Sequence, residues 1–165
     1  MQQVIGRKYK VLEMIGEGAF GVILKGEHFR TRDKVAIKME KNSDQSFMLK
    51  NESKIYLLLN KEDQPCGFPN LRWFGKDEHF FYMVMDLLGE SLVKHDTDAN
   101  MSFPLNIVIQ IGKQIVDRIR VVHGKGLIHR DIKPENFLFG LGRKSQTKKK
   151  KSDRVRKGET LPCPS

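Results

Sequence analysis

The segment Leu127-Ile128-His129-Arg130-Asp131-Ile132-Lys133-Pro134-Glu135-Asn136-Phe137-Leu138 narrows the choice of fold more than any other part of the sequence. Apolar pairs flank a dense polar stretch in which Asp131 and Asn136 lie five residues apart, with Lys133 between them. These side chains supply an acceptor for a hydroxyl proton, an amide oxygen for a metal ion and a cation for phosphate. A plain polar turn between a helix and a strand would not need this combination, so the segment is interpreted as a loop that carries chemistry.

A helix is predicted immediately before this loop, over residues 104–122. Pro104 suits the first turn of a helix, and Gly124-Lys125-Gly126 is typical of a helix end. Apolar residues recur at helical spacing and form one stripe: Ile107, Val108, Ile111, Ile115, Ile119 and Val122.

The first half of the chain is predicted to be mainly sheet. Short apolar runs separated by polar or glycine-containing turns indicate about five antiparallel strands, and one helix is predicted over residues 46–60. The predicted strands cover residues 9–15, 22–27, 35–40, 71–75 and 80–85.

Three glycines, Gly16, Gly18 and Gly21, lie between the first two of these strands. A dinucleotide-binding fold would require a helix directly after them. Here the β-branched run from Val22 leads instead into another turn and strand, which places the glycines in a hairpin. Such a hairpin suits a flap whose backbone N–H groups approach phosphates. A glycine-rich turn without a ligand is the alternative.

A lysine and a glutamate follow at positions where they could pair. On the strand over 35–40, Lys38 shares a face with Ala36 and points away from Ile37. On the predicted helix, Glu52 falls on the stripe that also holds Ile55, Tyr56 and Leu59. A buried carboxylate needs a partner, and Lys38 is the natural candidate. The alternatives are an ordinary exposed lysine and a glutamate at the edge of the stripe.

Composition and charge exclude several classes of protein. The chain has 165 residues, a net charge of +10 and two cysteines, with no apolar run of membrane-spanning length and no apolar segment typical of a secretory signal. The cysteines lack zinc spacing and partners for a disulfide framework, so an intracellular location in cytoplasm, nucleus or both is expected.

The positive charge is concentrated at the end of the sequence. Residues 141–165 hold nine lysines and arginines against two acidic residues, so the body is nearly balanced. Residues 144–165 contain too few apolar side chains to fold and are expected to be disordered. The lysine run over 148–151 is either a solvated tail or a patch for nuclear import or an anionic surface. A specific nucleic-acid-binding fold is not expected, and neither is a membrane span.

Together these motifs make the sequence similar to the eukaryotic protein kinases, and in particular to the casein kinase 1 family. The resemblance runs in order from about Tyr9 to Arg143. It is carried by Gly16-Glu-Gly-Ala-Phe-Gly-Val-Ile23, Glu52-Ser-Lys-Ile-Tyr56, Leu71-Arg-Trp73, Met83-Val-Met-Asp-Leu-Leu-Gly-Glu-Ser-Leu92 and His129-Arg-Asp-Ile-Lys-Pro-Glu-Asn-Phe-Leu-Phe-Gly-Leu-Gly142.

The resemblance implies a kinase-like α+β fold and an activity that moves the γ-phosphate of ATP, with Mg²⁺, to serine and threonine hydroxyls of proteins. It implies that Lys38, oriented by Glu52, holds the α- and β-phosphates, and that Met85 is the gatekeeper. The other implied nucleotide contacts are Ile15, Gly16, Gly18, Gly21, Ile23, Ala36 and the backbone of Asp86 and Leu88. In the loop, Asp131 would accept the hydroxyl proton, Lys133 would contact the γ-phosphate and Asn136 would bind Mg²⁺.

The resemblance stops after Gly142, where the family continues into a strand that carries Asp-Phe-Gly. This sequence contains no such string, and Asp153 stands among basic residues and is assigned no metal. The expected organisation is therefore a kinase first lobe with its hinge over 1–90, a partial second lobe with the catalytic loop over 91–143 and the tail over 144–165. A truncated chain would leave the 104–122 helix partly uncovered for a partner, and a catalytically inactive module that binds nucleotides or proteins is the alternative function.

Overall fold

The computed structural model describes residues 3–18, 21–43, 48–60, 67–94 and 103–141. The chain divides into two compact units. The first holds the described residues through Leu87 apart from Gly67, and the second holds Gly67 and the described residues from Leu88. The segment predicted to be a disordered tail, 144–165, lies outside the described residues.

The first unit is built on a six-stranded antiparallel sheet in the order β1-β2-β3-β4-β6-β5, with helix α1 (Met48–Leu59) between β4 and β5 along the chain. All five predicted strands are confirmed, and the sheet has one further strand, β1, whose two residues are too few to show a period of two. The strands are β1 (Val4–Ile5), β2 (Tyr9–Gly18), β3 (Gly21–His28), β4 (Lys34–Lys41), β5 (Leu71–Lys76) and β6 (Phe80–Asp86).

Alternation over Val35 to Lys38 in β4 separates the core of this unit from the face that carries the candidate site. Val35 and Ile37 are fully buried in a cluster with residues of four other strands, namely Ile5, Tyr9, Leu24, Tyr82 and Val84. Ala36 and Lys38 therefore lie on the opposite face. Directly paired residues share a face, so Ile23 on β3 and Met83 on β6, both opposite Lys38, lie there too.

Helix α1 buries a stripe that matches the predicted one only in part, since Leu59 is buried as expected and Tyr56 is half-buried. Its buried residues are Leu49, Ser53 and Leu59, whereas Ile55 is 41% exposed. The prediction of a stripe through Ile55 is wrong because apolar residues occupy nearly every side of this helix, and periodicity does not select one of them. The Glu52 side chain, 32% exposed, stands beside the buried stripe, as the edge alternative described.

The second unit holds helix α2 (Leu105–Gly124), which confirms the helix predicted over 104–122. Val122 is buried and the four isoleucines of the predicted stripe are half-buried. Val108 was wrongly included in that stripe, because its side chain is 49% exposed. The helix ends before Gly126, whose φ of +74° favours glycine. No helix among the described residues is long and apolar enough to cross a membrane.

Candidate active site

The three glycines lie where β2 turns into β3. Gly16 pairs with Ile23, and Gly18 pairs with Gly21 at the tip of the hairpin, which confirms the predicted strand–turn–strand context. Gly21 has a φ of +130°, and a Cβ placed there would lie 2.0 Å from the carbonyl oxygen of Met39. A Cβ at Gly18 would meet no described atom within 4 Å. Gly21 is thus required by the fold, whereas the space at Gly18 is open.

Lys38 and Glu52 form the predicted pair. The Lys38 Nζ donates to the Glu52 Oε2 at 2.5 Å, and the two side chains are 28% and 32% exposed. Strand β4 supplies the cation and helix α1 the carboxylate. A small cavity beside the pair is lined by both residues together with Glu40, Met48 and Leu49. Two carboxylates, those of Glu40 and Glu52, and one ammonium therefore face this cavity.

Glu40 joins this arrangement and was not singled out by the sequence. Its Oε2 accepts a hydrogen bond of 2.7 Å from the backbone N–H of Leu49, at the first turn of α1. The first-turn N–H groups of a helix have no partner within the helix, and a carboxylate there is also favoured by the helix dipole. The sequence could have placed Glu40 near the site, because Glu40 lies two residues after Lys38 and therefore on the same face of β4.

Apolar side chains flank Lys38 on its face of the sheet. Ala36 pairs with Met85 on β6, and Ile23 pairs directly with Lys38. Ile23 remains 37% exposed and Ile15 47% exposed, so both offer apolar surface at the edge of the glycine hairpin. A flat apolar ring is the kind of ligand group that such a surface can accept.

Asp86 is the last residue of β6 in the first unit, and Leu88 belongs to the second unit. The backbone N–H of Asp86 donates to the carbonyl oxygen of Asn70 at 3.1 Å. Because this N–H already has a partner within the unit, only the carbonyl of Asp86 is left as a backbone group that could bind a ligand. The Asp86 carboxylate accepts hydrogen bonds from Asn70 and Arg72.

In the second unit, Asp131, Lys133 and Asn136 come together as predicted. The Asn136 Nδ2 donates to the Asp131 Oδ2 at 2.9 Å and to the Asp131 carbonyl oxygen at 2.7 Å, and the Lys133 Nζ lies 3.0 Å from the Asp131 Oδ2. The hydrogen bond from Asn136, and then that from Lys133, lowers the pKa of Asp131 from its ordinary value. The Asp131 side chain is therefore an exposed carboxylate with fixed neighbours.

Backbone hydrogen bonds on the C-terminal side of this loop hold it in place. The Leu92 N–H donates to the Phe137 carbonyl at 2.9 Å, and the Gly89 N–H donates to the Phe139 carbonyl at 2.7 Å. Asn136 ends a short 3₁₀ helix, Pro134–Asn136, and its N–H donates to the Lys133 carbonyl at 3.0 Å. Arg130, directly before Asp131, has a φ of +65°, so the chain turns sharply at this point.

The loop offers oxygen atoms for a divalent metal. Both hydrogen bonds of the Asn136 amide are donated by its nitrogen, and its oxygen meets no donor among the described residues. Within that same part of the chain, no group of three His, Cys, Asp or Glu side chains is arranged to hold a metal ion. Mg²⁺ commonly takes one or two protein oxygens and completes its shell with phosphate and water. The donor set fits a metal that arrives with a nucleotide.

A comparison with protein families agrees with these two clusters. The family described as "Protein kinase domain" matches residues 9–150, a range that begins with β2 and includes Lys38, Glu52, Asp131 and Asn136. The match covers most of the 165 residues. This chain therefore belongs to the protein kinase domain family.

Proposed function

We propose that this protein is a serine/threonine protein kinase of the casein kinase 1 type, which uses Mg²⁺ and ATP. Membership of the protein kinase domain family supports phosphoryl transfer to proteins from ATP with a divalent metal. The observation that carries the proposal is the contact of Asn136 and Lys133 with one carboxylate, that of Asp131. The serine/threonine and casein kinase 1 assignments rest on the sequence strings that resemble that family.

In this proposal the first unit binds the nucleotide. Lys38 meets the α- and β-phosphates, and Glu52 keeps its ammonium in position. The glycine hairpin approaches the phosphates through its backbone, and Ile23 and Ala36 contact the adenine. The open space at Gly18 supports this assignment, because a ligand oxygen can approach the backbone there.

The second unit carries the residues that act on the transferred group. As the substrate hydroxyl oxygen forms its bond to the γ-phosphorus, the bond from that phosphorus to the β,γ-bridging oxygen breaks and ADP leaves. Asp131, ionised at neutral pH, receives the hydroxyl proton, and Lys133 stabilises the negative charge of the phosphoryl oxygens. Mg²⁺, held by the Asn136 amide oxygen, would supply further neutralisation of phosphate charge.

Phosphorylation of casein tests the proposal. The protein would be incubated with casein, Mg²⁺ and γ-labelled ATP, and the labelled amino acids identified after acid hydrolysis. Asp131→Asn is the inactivating variant. Asp117→Asn on α2 is the matched control, because the Asp117 and Asp131 side chains are 58% and 59% exposed.

Label on serine or threonine that is lost in Asp131→Asn and kept in Asp117→Asn is the expected result. Label on tyrosine would overturn the serine/threonine assignment. If ATP raises the melting temperature but no protein is labelled, the chain is a nucleotide-binding module and the proposed activity is wrong.

A further inference from the structure

We propose that Arg72 is a positioning residue that fixes the adenine-binding backbone at Asp86, and so sets affinity for the base of the nucleotide without acting on its phosphates. This inference rests on the proposed function, in which the Asp86 carbonyl contacts adenine. Arg72 lies on β5, on no segment that touches the nucleotide in that proposal.

The Asp86 carboxylate is held by three donors. The Arg72 Nε donates to its Oδ1 at 2.5 Å, and the Asn70 Nδ2 and backbone N–H donate to its Oδ2 at 2.6 and 3.1 Å. The Asp86 side chain is 24% exposed, so these bonds are partly shielded from water. Hydrogen bonds between charged groups are stronger than neutral ones.

A second carboxylate anchors Arg72 from another part of the unit. The Arg72 Nη1 donates to the Asp33 Oδ2 at 3.1 Å, in the turn between β3 and β4. Arg72 thus ties the end of β6 to β5 and to that turn. A planar guanidinium can make both contacts at once in a fixed geometry, which a lysine ammonium does not reproduce.

The residue anchored in this way is held at both its side chain and its backbone. The Asp86 N–H is engaged by the Asn70 carbonyl, and the carboxylate of the same residue is engaged by Asn70 and Arg72. These bonds hold the backbone and side chain of Asp86 on both sides of its Cα and so restrict the directions that its carbonyl can take before any ligand arrives. A preorganised acceptor binds a ligand more tightly than one that must be ordered on binding.

The test compares binding of adenosine and of inorganic tripolyphosphate, which probe the base and phosphate contacts separately. In Arg72→Met, we expect adenosine and ADP to bind roughly five- to tenfold more weakly, about 1 to 1.4 kcal/mol, while tripolyphosphate binds as in the wild type. The matched control is Arg32→Met. Arg32 belongs to the same turn as Asp33, but it pairs with Glu27.

A second variant keeps the test decisive if Arg72→Met does not fold. Asp33→Asn leaves Arg72 on Asp86 but weakens its other anchor, and we expect adenosine to bind about twofold more weakly. Unchanged adenosine binding in the variants, or an equal loss of adenosine and tripolyphosphate, overturns the role of Arg72. Failure of the wild type to bind adenosine or ADP would instead refute the proposed function itself.

Discussion

The Lys38 Nζ lies 2.5 Å from the Glu52 Oε2, and this bond connects the middle of β4 to helix α1. The Lys38 and Glu52 side chains are 28% and 32% exposed, so water screens the attraction between their charges. Exposed ion pairs contribute roughly 0–1 kcal/mol to stability. We therefore expect the pair to matter mainly because it positions the Lys38 ammonium, and not because it stabilises the fold.

Replacing either member of this pair should separate activity from stability. Lys38→Met removes the cation that is proposed to meet the phosphates, and we expect at least about a 100-fold loss of kcat/KM, as when other transition-state donors are removed. Glu52→Gln keeps a polar side chain and should lose less. Thermal unfolding should shift little in both. A large loss of stability with unchanged activity would show that the pair is structural.

The carboxylate of Glu40 should stabilise α1. Glu40→Ala leaves the Leu49 N–H without its acceptor, and we expect a loss of about 1 kcal/mol in the free energy of unfolding, the usual effect of losing a helix cap. Glu40→Gln retains an acceptor oxygen and should recover most of that loss. Urea denaturation measures both variants. Equal destabilisation by the two would mean that charge, and not the hydrogen bond, is what matters.

Alanine substitutions at Gly21 and Gly18 in the glycine hairpin should have very different effects on stability. Gly21→Ala places a methyl group against the Met39 carbonyl at a φ of +130°, so we expect destabilisation of at least about 1–3 kcal/mol. Gly18→Ala should leave the melting temperature within about a degree or two of the wild type. Because the proposed ligand approaches the backbone at Gly18, its KM for ATP should nevertheless rise. A lower melting temperature for Gly18→Ala than for Gly21→Ala would contradict this description of the hairpin.

The pKa of Asp131 should depend on its hydrogen bonds with Asn136 and Lys133. Asn136, followed by Lys133, lowers the pKa of Asp131, so in the wild type the carboxylate should protonate below the ordinary value of about 3.9. Its favourable interactions are fully present above that unfolded-state value and are lost as the pH falls through the folded-state pKa. In Asn136→Ala the pKa should rise toward 3.9. The carbon chemical shift of the Asp131 carboxyl, followed by NMR against pH, measures this, and an unchanged midpoint in the variant would refute the assignment.

Local patterns were enough to predict the elements that carry the site. Alternation along β4 placed Lys38 on the face opposite Ile37, and the residue types of the Asp131 loop indicated its chemistry. Both inferences depend only on residues that are close together along the chain, so they can be made from the sequence. Helix α1 was found for the same reason, although its boundary at residue 46 lies outside the described residues.

Contacts between distant segments were harder to predict. The buried side of α1 was predicted only in part: Leu59 is buried as expected, but Ile55 is exposed and Leu49 was missed. Apolar residues face several sides of this helix, and only packing against the sheet selects among them. The links from Glu40 to Leu49 and from Arg72 to Asp86 join residues 9 and 14 positions apart. Such pairings depend on strand register, which a periodicity pattern does not contain.

The most direct test of the central claim is phosphoryl transfer itself. The initial rate of label transfer from γ-labelled ATP to casein would be measured for the wild type, Asp131→Asn and Lys38→Met at equal concentrations of folded protein. We predict a measurable wild-type rate that falls by at least about 100-fold in each variant. A wild-type rate no greater than that of the variants would contradict the roles proposed for Lys38 and Asp131 in phosphoryl transfer.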